Sequence, residues 1–147
     1  MSEGNVRSRE RRTRTADMVD KLLVERQEML ALYCQLAGLE PYTTSDRDER
    51  TLRKFCQVLM DYMAFGHFEI YERIAHGDEK RTDVIKVAEK VYDRVVEATE
   101  YAVAFNDKYD STKKYSNDQL EKDLSILGEE LAIRVEMEDR LVAAMVA

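Results

Sequence analysis

An all-α fold, an antiparallel up-and-down four-helix bundle, is what this sequence predicts, and three observations predict it. Four separate stretches repeat apolar residues at the spacing of one helix face. The chain's single proline, Pro41, and two of its five glycines, Gly38 and Gly77, fall between those stretches, where helices stop. Charged residues make up 36% and hydrophobic ones 44%, with no tryptophan, a balance typical of helical soluble proteins. At 147 residues the chain suits one domain that buries about two thirds of its unfolded surface in one core.

The first helix is expected over residues 16–37, where Val19, Leu22, Leu23, Leu30, Tyr33 and Ala37 share a face and Gly38 ends the run. After the segment GLEPYTTSD, Asp46 and Glu49 read as a capping pair that opens a second helix over 47–76. Its stripe is Leu52, Phe55, Cys56, Leu59, Tyr62, Met63, Gly66, Ile70 and Ile74, with Gly77 as its stop. Thr82 can cap a third helix over 82–109, whose stripe from Val84 to Phe105 is small and aliphatic and carries no chemistry. In the loop DSTKKYSN, Ser116 with Gln119 matches a capping box for a fourth helix over 117–145. That last stripe runs Leu120, Leu124, Leu127, Leu131, then Arg134 and Glu138, then Leu141 and Met145. Helices of roughly 20 to 30 residues joined by short loops pack most simply as an up-and-down bundle.

Charge divides the chain. Residues 1–15 hold Arg7, Arg9, Arg11, Arg12 and Arg14 against Glu3 and Glu10, a net +3, so the total of −7 leaves −10 on residues 16–147. The first segment reads as a flexible basic arm and the remainder as one strongly acidic domain. An acidic body repels nucleic acid and favours basic partners, so no direct DNA binding is expected of the folded domain. Neither a signal segment nor a bilayer-spanning apolar run is evident, which points to a cytoplasmic protein without a membrane partner. Cys34 and Cys56 sit in apolar periodic segments and read as reduced, buried thiols.

Several chemistries are disfavoured by spacing. A di-metal carboxylate bundle needs Glu-x-x-His pairs, yet Ala64 stands three residues before His67 and Arg73 three before His76. With two histidines and no Cys/His cluster, zinc is unsupported, and no metal or other cofactor is expected. The serines, at positions 2, 8, 45, 111, 116 and 125, stand near neither histidine in sequence, and no glycine-rich phosphate loop occurs. No catalytic residue is assigned, and the chain is not expected to be an enzyme.

Polar residues on the apolar stripes carry more information. With Leu59 at the centre of the core face and about 100° per residue, His67 falls about 80° away and Tyr71 about 120°, at the seam's edge. Arg134 and Glu138 lie on the last helix's seam at the four-residue spacing that lets opposite charges meet, and Arg26 intrudes on the first helix's apolar face. Buried charges are costly unless paired. A polar cluster of Arg26, His67, Tyr71, Arg134 and Glu138 is therefore expected, either as a network that fixes register or as a lined cavity or support for a binding surface. On the opposite side of the second helix, Asp61, Phe65, Phe68 and Glu72 form one ridge. Two phenylalanines flanked by acids suit a basic, amphipathic partner, or burial under the amino-terminal segment or a loop.

The stretch FCQVLMDYMAFGHFEIYERI (55–74) closely resembles the signature helix of the Rsd/AlgQ family, bacterial anti-sigma regulators that bind the primary sigma factor of RNA polymerase. MVDKLLVERQEMLALYCQLAG (18–38) is similar to the family's first helix and GEELAIRVEMEDRLV (128–142) to its last. Matching positions are Asp20, Arg26, Asp61, Tyr62, Gly66, His67, Phe68, Tyr71, Glu72, Arg134, Glu138 and Asp139, while Leu22 stands where family members typically carry tryptophan. The resemblance implies a helical bundle that sequesters sigma, mainly through its carboxy-terminal promoter-recognition domain, and obstructs association with core polymerase and promoter DNA. It adds Asp20 to Asp61, Phe65, Phe68 and Glu72 as expected partner-binding residues and leaves room for further regulatory partners. The competing class is a bundle that binds a small molecule or metal in a polar interior cavity.

Overall fold

In the computed structural model, which describes residues 3–77, 79–111 and 114–147, every long apolar stripe lies on a helix. The rods are α1 (Glu3–Ala37), α2 (Glu49–Gly66), α4 (Thr82–Tyr109) and α5 (Asn117–Val146). A π-helical turn (His67–Tyr71) and a last short turn, α3 (Glu72–Ala75), prolong α2. α1 packs on α2 and α5, and α4 packs on the same two, so the rods follow the order α1, α2, α4, α5 around one core. The fold is all-α.

Leu22, Met29 and Leu36 of α1 meet Leu52, Phe55 and Leu59 of α2, Phe105 and Tyr109 of α4, and Leu120, Leu124 and Leu131 of α5 in that core. Phe55 and Phe105 pack edge to face with centroids 5.8 Å apart. The Tyr33 hydroxyl donates to the Leu124 carbonyl at 2.7 Å and ties α1 to α5. Gly128 makes room for it, because an added Cβ would collide with the Tyr33 hydroxyl.

Gly38 and Gly77 end α1 and α3 at φ values of 71° and 80°, the left-handed region that suits glycine. Beyond Gly38 the chain passes a cis Glu40–Pro41 bond and a 3-10 turn (Thr44–Asp46). Arg47 Nε then donates to the Leu36 carbonyl at 2.8 Å, satisfying an otherwise open end of α1. Ser116 caps α5 as its sequence suggests, accepting from the Gln119 N–H at 3.1 Å.

Four expectations need correction. α1 begins at Glu3, so residues 3–15, expected as a flexible arm, are helical; Arg and Glu are good helix formers, and extending a nucleated helix is cheap. Residues 1 and 2 of that segment lie outside the described residues. α2 opens on Asp48, not on the Asp46–Glu49 pair, because the 3-10 turn takes up Thr44–Asp46 and the extended Asp48 accepts from the Thr51 N–H at 2.6 Å. Thr82 is the first residue of α4, preceded by Arg81, which makes no side-chain cap bond. On α1 the buried line passes through Met29 and Leu36, leaving Leu23 at 38% exposure.

Candidate partner-binding site

The signature stretch builds two surfaces on one rod. Within the rod, the Glu72 N–H bonds to the His67 carbonyl, five residues back, so the π turn holds one residue more than an α turn. Such an insertion turns everything after it by about 100° relative to a continuous helix. Tyr71, placed at the seam's edge by a uniform wheel, is thereby 3% exposed and faces the interior.

Inside, Arg26, Tyr62, Arg134 and Glu138 form the polar seam. Glu138 Oε1 accepts from Arg26 Nη2 at 2.7 Å, from Arg26 Nε at 3.1 Å, and from the Tyr62 hydroxyl. Arg26 Nη1 also reaches Asp139 Oδ1 at 2.7 Å, outside the seam. Arg134 and Glu138, each 1% exposed, stand 3.7 Å apart between Nε and Oε2. Arg134 Nη1 donates to Thr99 Oγ1 at 2.6 Å and to the Met63 sulfur at 2.7 Å, and the guanidinium lies over the rings of Tyr62 and Tyr71, 5.2 and 6.0 Å from their centroids. Gly66 is part of this arrangement, since a Cβ there would stand 2.6 Å from Arg134 Nη2.

Burial, and secondarily the Glu138 carboxylate, pushes the phenols of Tyr62 and Tyr71 well above their ordinary range, so both stay protonated. For Arg26 burial works against the charge, but the bonds to Glu138 and Asp139 outweigh it and hold the guanidinium charged. Among the described residues, the Tyr71 hydroxyl, Arg134 Nε and Nη2, and Glu138 Oε2 are buried without a hydrogen-bond partner. The network is therefore tight around Glu138 Oε1 and loose beneath the π turn.

Of the five residues expected in this cluster, Arg26, Tyr71, Arg134 and Glu138 come together in the seam, whereas His67 stays outside it, at a surface cleft that Tyr71 and Arg134 also line. As the first residue of the π turn it is exposed, and its ring packs edge to face with Phe68 at 4.9 Å. Tyr62 takes the place expected for it. Its helical position marks it as a core residue; beside its match to the family pattern, the sequence signal for a polar role is its phenol, five residues before His67.

Outside, Phe68 is 59% exposed, and Asp20 and Asp61 are exposed with it, while Glu72 is half-buried and 3.9 Å from His76. The expected ridge is uneven. Phe65 is half-buried, with Lys21 of α1 4.8 Å above its ring, because α1 leans over this side of α2. Along the same α1–α2 groove lie Glu25, Glu28 and Asp61. Burial raises the Glu25 carboxyl above its ordinary 4.5; Lys21 opposes that shift, and Asp61 and Glu28 add to it.

Fold and site together define a helical bundle with a paired polar seam between α1, α2 and α5 and, outside, an acidic surface bearing an exposed aromatic ring. Among the described residues no group of three or more His, Cys, Asp or Glu is placed to hold a metal, and no helix is long and apolar enough to cross a membrane. The family described as regulator of RNA polymerase sigma(70) subunit, Rsd/AlgQ, matches residues 1–146. A regulator of sigma D from Enterobacter sp. (strain 638) is 38% identical over 133 residues, covering 86% of this chain and 78% of its own. Proteins of the same name from Shigella boydii and Yersinia enterocolitica are 35% and 32% identical, covering 85% and 86% of this chain and 81% and 78% of theirs. No solved structure matches the chain. The chain belongs to the Rsd/AlgQ family, which is named for regulation and not for a reaction.

Proposed function

We propose that this protein is a stoichiometric anti-sigma factor. It binds the primary sigma factor of RNA polymerase, mainly the carboxy-terminal promoter-recognition domain, and keeps it from core polymerase and promoter DNA. The observation that carries this reading is Phe68, a large aromatic side chain 59% exposed within the family's signature stretch and on an acidic surface. An apolar anchor in an acidic setting complements a basic DNA-reading domain, whose own surface is shaped for phosphates. Asp61, Phe65, Phe68, Glu72 and Asp20 make the contact face, and the Arg26–Glu138–Arg134 seam fixes the rod that presents them. No turnover is involved, and the acidic domain itself does not bind DNA.

The test is competition. Purified chain titrated into an equimolar mixture of primary sigma factor and core polymerase is expected to lower holoenzyme in proportion to the amount added, and the chain alone should not shift promoter DNA. Holoenzyme left unchanged by an excess of folded protein would reject occlusion.

A further inference from the structure

Between the π turn and α4 lies an open cleft of about 430 Å³, set apart from the Asp61 side of α2. Val95, Val96, Val103 and Tyr92 of α4 make one wall, and His67 and Tyr71 make the other. Glu100 and Asp107 also line it, seven residues apart on α4, both exposed. Neither is in an ion pair among the described residues, unlike Glu130 with Arg94 or Asp123 with Lys108, each 2.7 Å apart. Arg134 closes the floor at 1% exposure, and its Nε and Nη2, which make no hydrogen bond among the described residues, are sealed from solvent.

We infer that this cleft is the anchor pocket for a basic amphipathic helix, which inserts one large apolar side chain and pairs its own Lys or Arg residues with Glu100 and Asp107. The inference rests on the sigma reading above and names the second surface by which that basic domain is held. Each boundary of the cleft narrows the occupant. A cation pushed to the floor meets the buried Arg134, so basic groups stay at the rim. An anion must pass Glu100 and Asp107 and cannot reach the sealed donors below. What enters is apolar, and what flanks it is basic.

Seven residues on a helix span about 10.5 Å, two turns, so the complementary helix carries basic residues seven apart with the apolar anchor between them. The cleft is also continuous with the proposed contact face. His67 lines it and packs edge to face with Phe68, so one domain can cover Phe68 and fill the cleft together. The π turn thereby sets the partner surface, since it places His67 at the cleft, Phe68 outside and Tyr71 beneath.

Titration of primary sigma factor against three variants of the full chain tests this. The Glu100→Lys/Asp107→Lys double variant is expected to weaken binding at least tenfold at low salt, with a smaller deficit at high salt because screened charges matter less. Ala104→Trp, at an exposed position lining the cleft, fills it without touching the core and should weaken binding at least tenfold at both salt concentrations. The Glu129→Lys/Glu136→Lys variant makes the same charge change at the same spacing on exposed positions of α5, and should bind within about threefold of wild type. Circular dichroism confirms folding in each case. Wild-type affinity in both cleft variants, or an equal loss in the α5 variant, overturns the inference while leaving the sigma reading intact. Failure of the wild-type chain to bind sigma overturns both.

Discussion

Replacing Glu138 by leucine is expected to be far more damaging than replacing Arg134 by methionine, because the two residues are paired unequally. Arg134 has Glu138 as its carboxylate, 3.7 Å away, and is 1% exposed. At an effective dielectric constant near 20, that separation corresponds to about 4 kcal/mol of attraction, in line with the ~3–5 kcal/mol lost when a buried pair is broken from one side. Without Glu138 the buried guanidinium is stranded. Glu138, in contrast, still holds Arg26 at 2.7 Å and the Tyr62 hydroxyl when Arg134 is gone, so Arg134→Met should cost about 1–2 kcal/mol, mostly in contacts to Thr99 and Met63. Urea unfolding measures each variant and the double variant. Glu138→Leu should lower the thermal midpoint by roughly 10 °C. Adding Arg134→Met to it should restore stability, since no buried charge is then left alone on α5, and Arg26 keeps Asp139 at 2.7 Å. A Glu138→Leu cost below about 1 kcal/mol, or additive losses in the double variant, would refute the view that this pair must be complete.

Other consequences are smaller but as definite. Gly66→Ala places a Cβ 2.6 Å from Arg134 Nη2, the unbonded tip of a long side chain that must shift, and should destabilise by about 1 kcal/mol, measured by the same unfolding experiment. Combining it with Arg134→Met should remove most of that cost. The Cys56 thiol, pushed up to about 12 by burial, should resist a thiol reagent near pH 8 in the native protein, while half-buried Cys34 reacts first; equal rates would contradict the packing. Burial alone would raise the Asp123 carboxyl, but hydrogen bonds from Lys108 and Tyr109 hold it below its ordinary 3.8. Its stabilisation is then complete above about pH 4 and lost as pH falls through the lower folded value. Glu25, raised in the fold, acts in the opposite sense: its contribution is present at low pH and lost as pH rises through its folded value. Stability followed against pH should show an acid limb that Asp123→Asn flattens.

The stripes made most of the architecture legible. The third stretch was bounded from sequence at 82–109, where α4 runs from Thr82 to Tyr109, and the Ser116–Gln119 box opens α5 as read. Periodicity works there because the α4 face is continuously apolar and the Ser116 cap of α5 is local, while α1 and the α2 rod stop at Gly38 and Gly77 in the left-handed region. The site was harder to read because it depends on one added residue. A uniform wheel treats His67 and Tyr71 as equivalent edge residues, whereas the π turn sends the first to solvent and the second inward. Tyr62 was hidden for another reason: phenols pack like apolar rings, and only the position of Glu138 shows that its hydroxyl is a donor. Helix over residues 3–15 left no stripe to find, since Val6 is 44% exposed and the described arginines there are exposed. The cleft beside α4 was invisible because it lies between two elements and its polar residues belong to a helix whose stripe carries no chemistry.

Direct titration of purified primary sigma factor into the folded chain, at low salt and micromolar concentration, tests the central claim most closely when Asp61→Lys and Phe68→Ala are run beside wild type. Both positions are exposed, so neither change should alter the unfolding free energy by more than about 1 kcal/mol. Wild type is expected to form an equimolar complex, and each variant to bind at least tenfold more weakly, the size of effect that a central aromatic anchor or a well-placed charge produces. Absence of any complex, or a complex that both variants form as well as wild type, would contradict the claim.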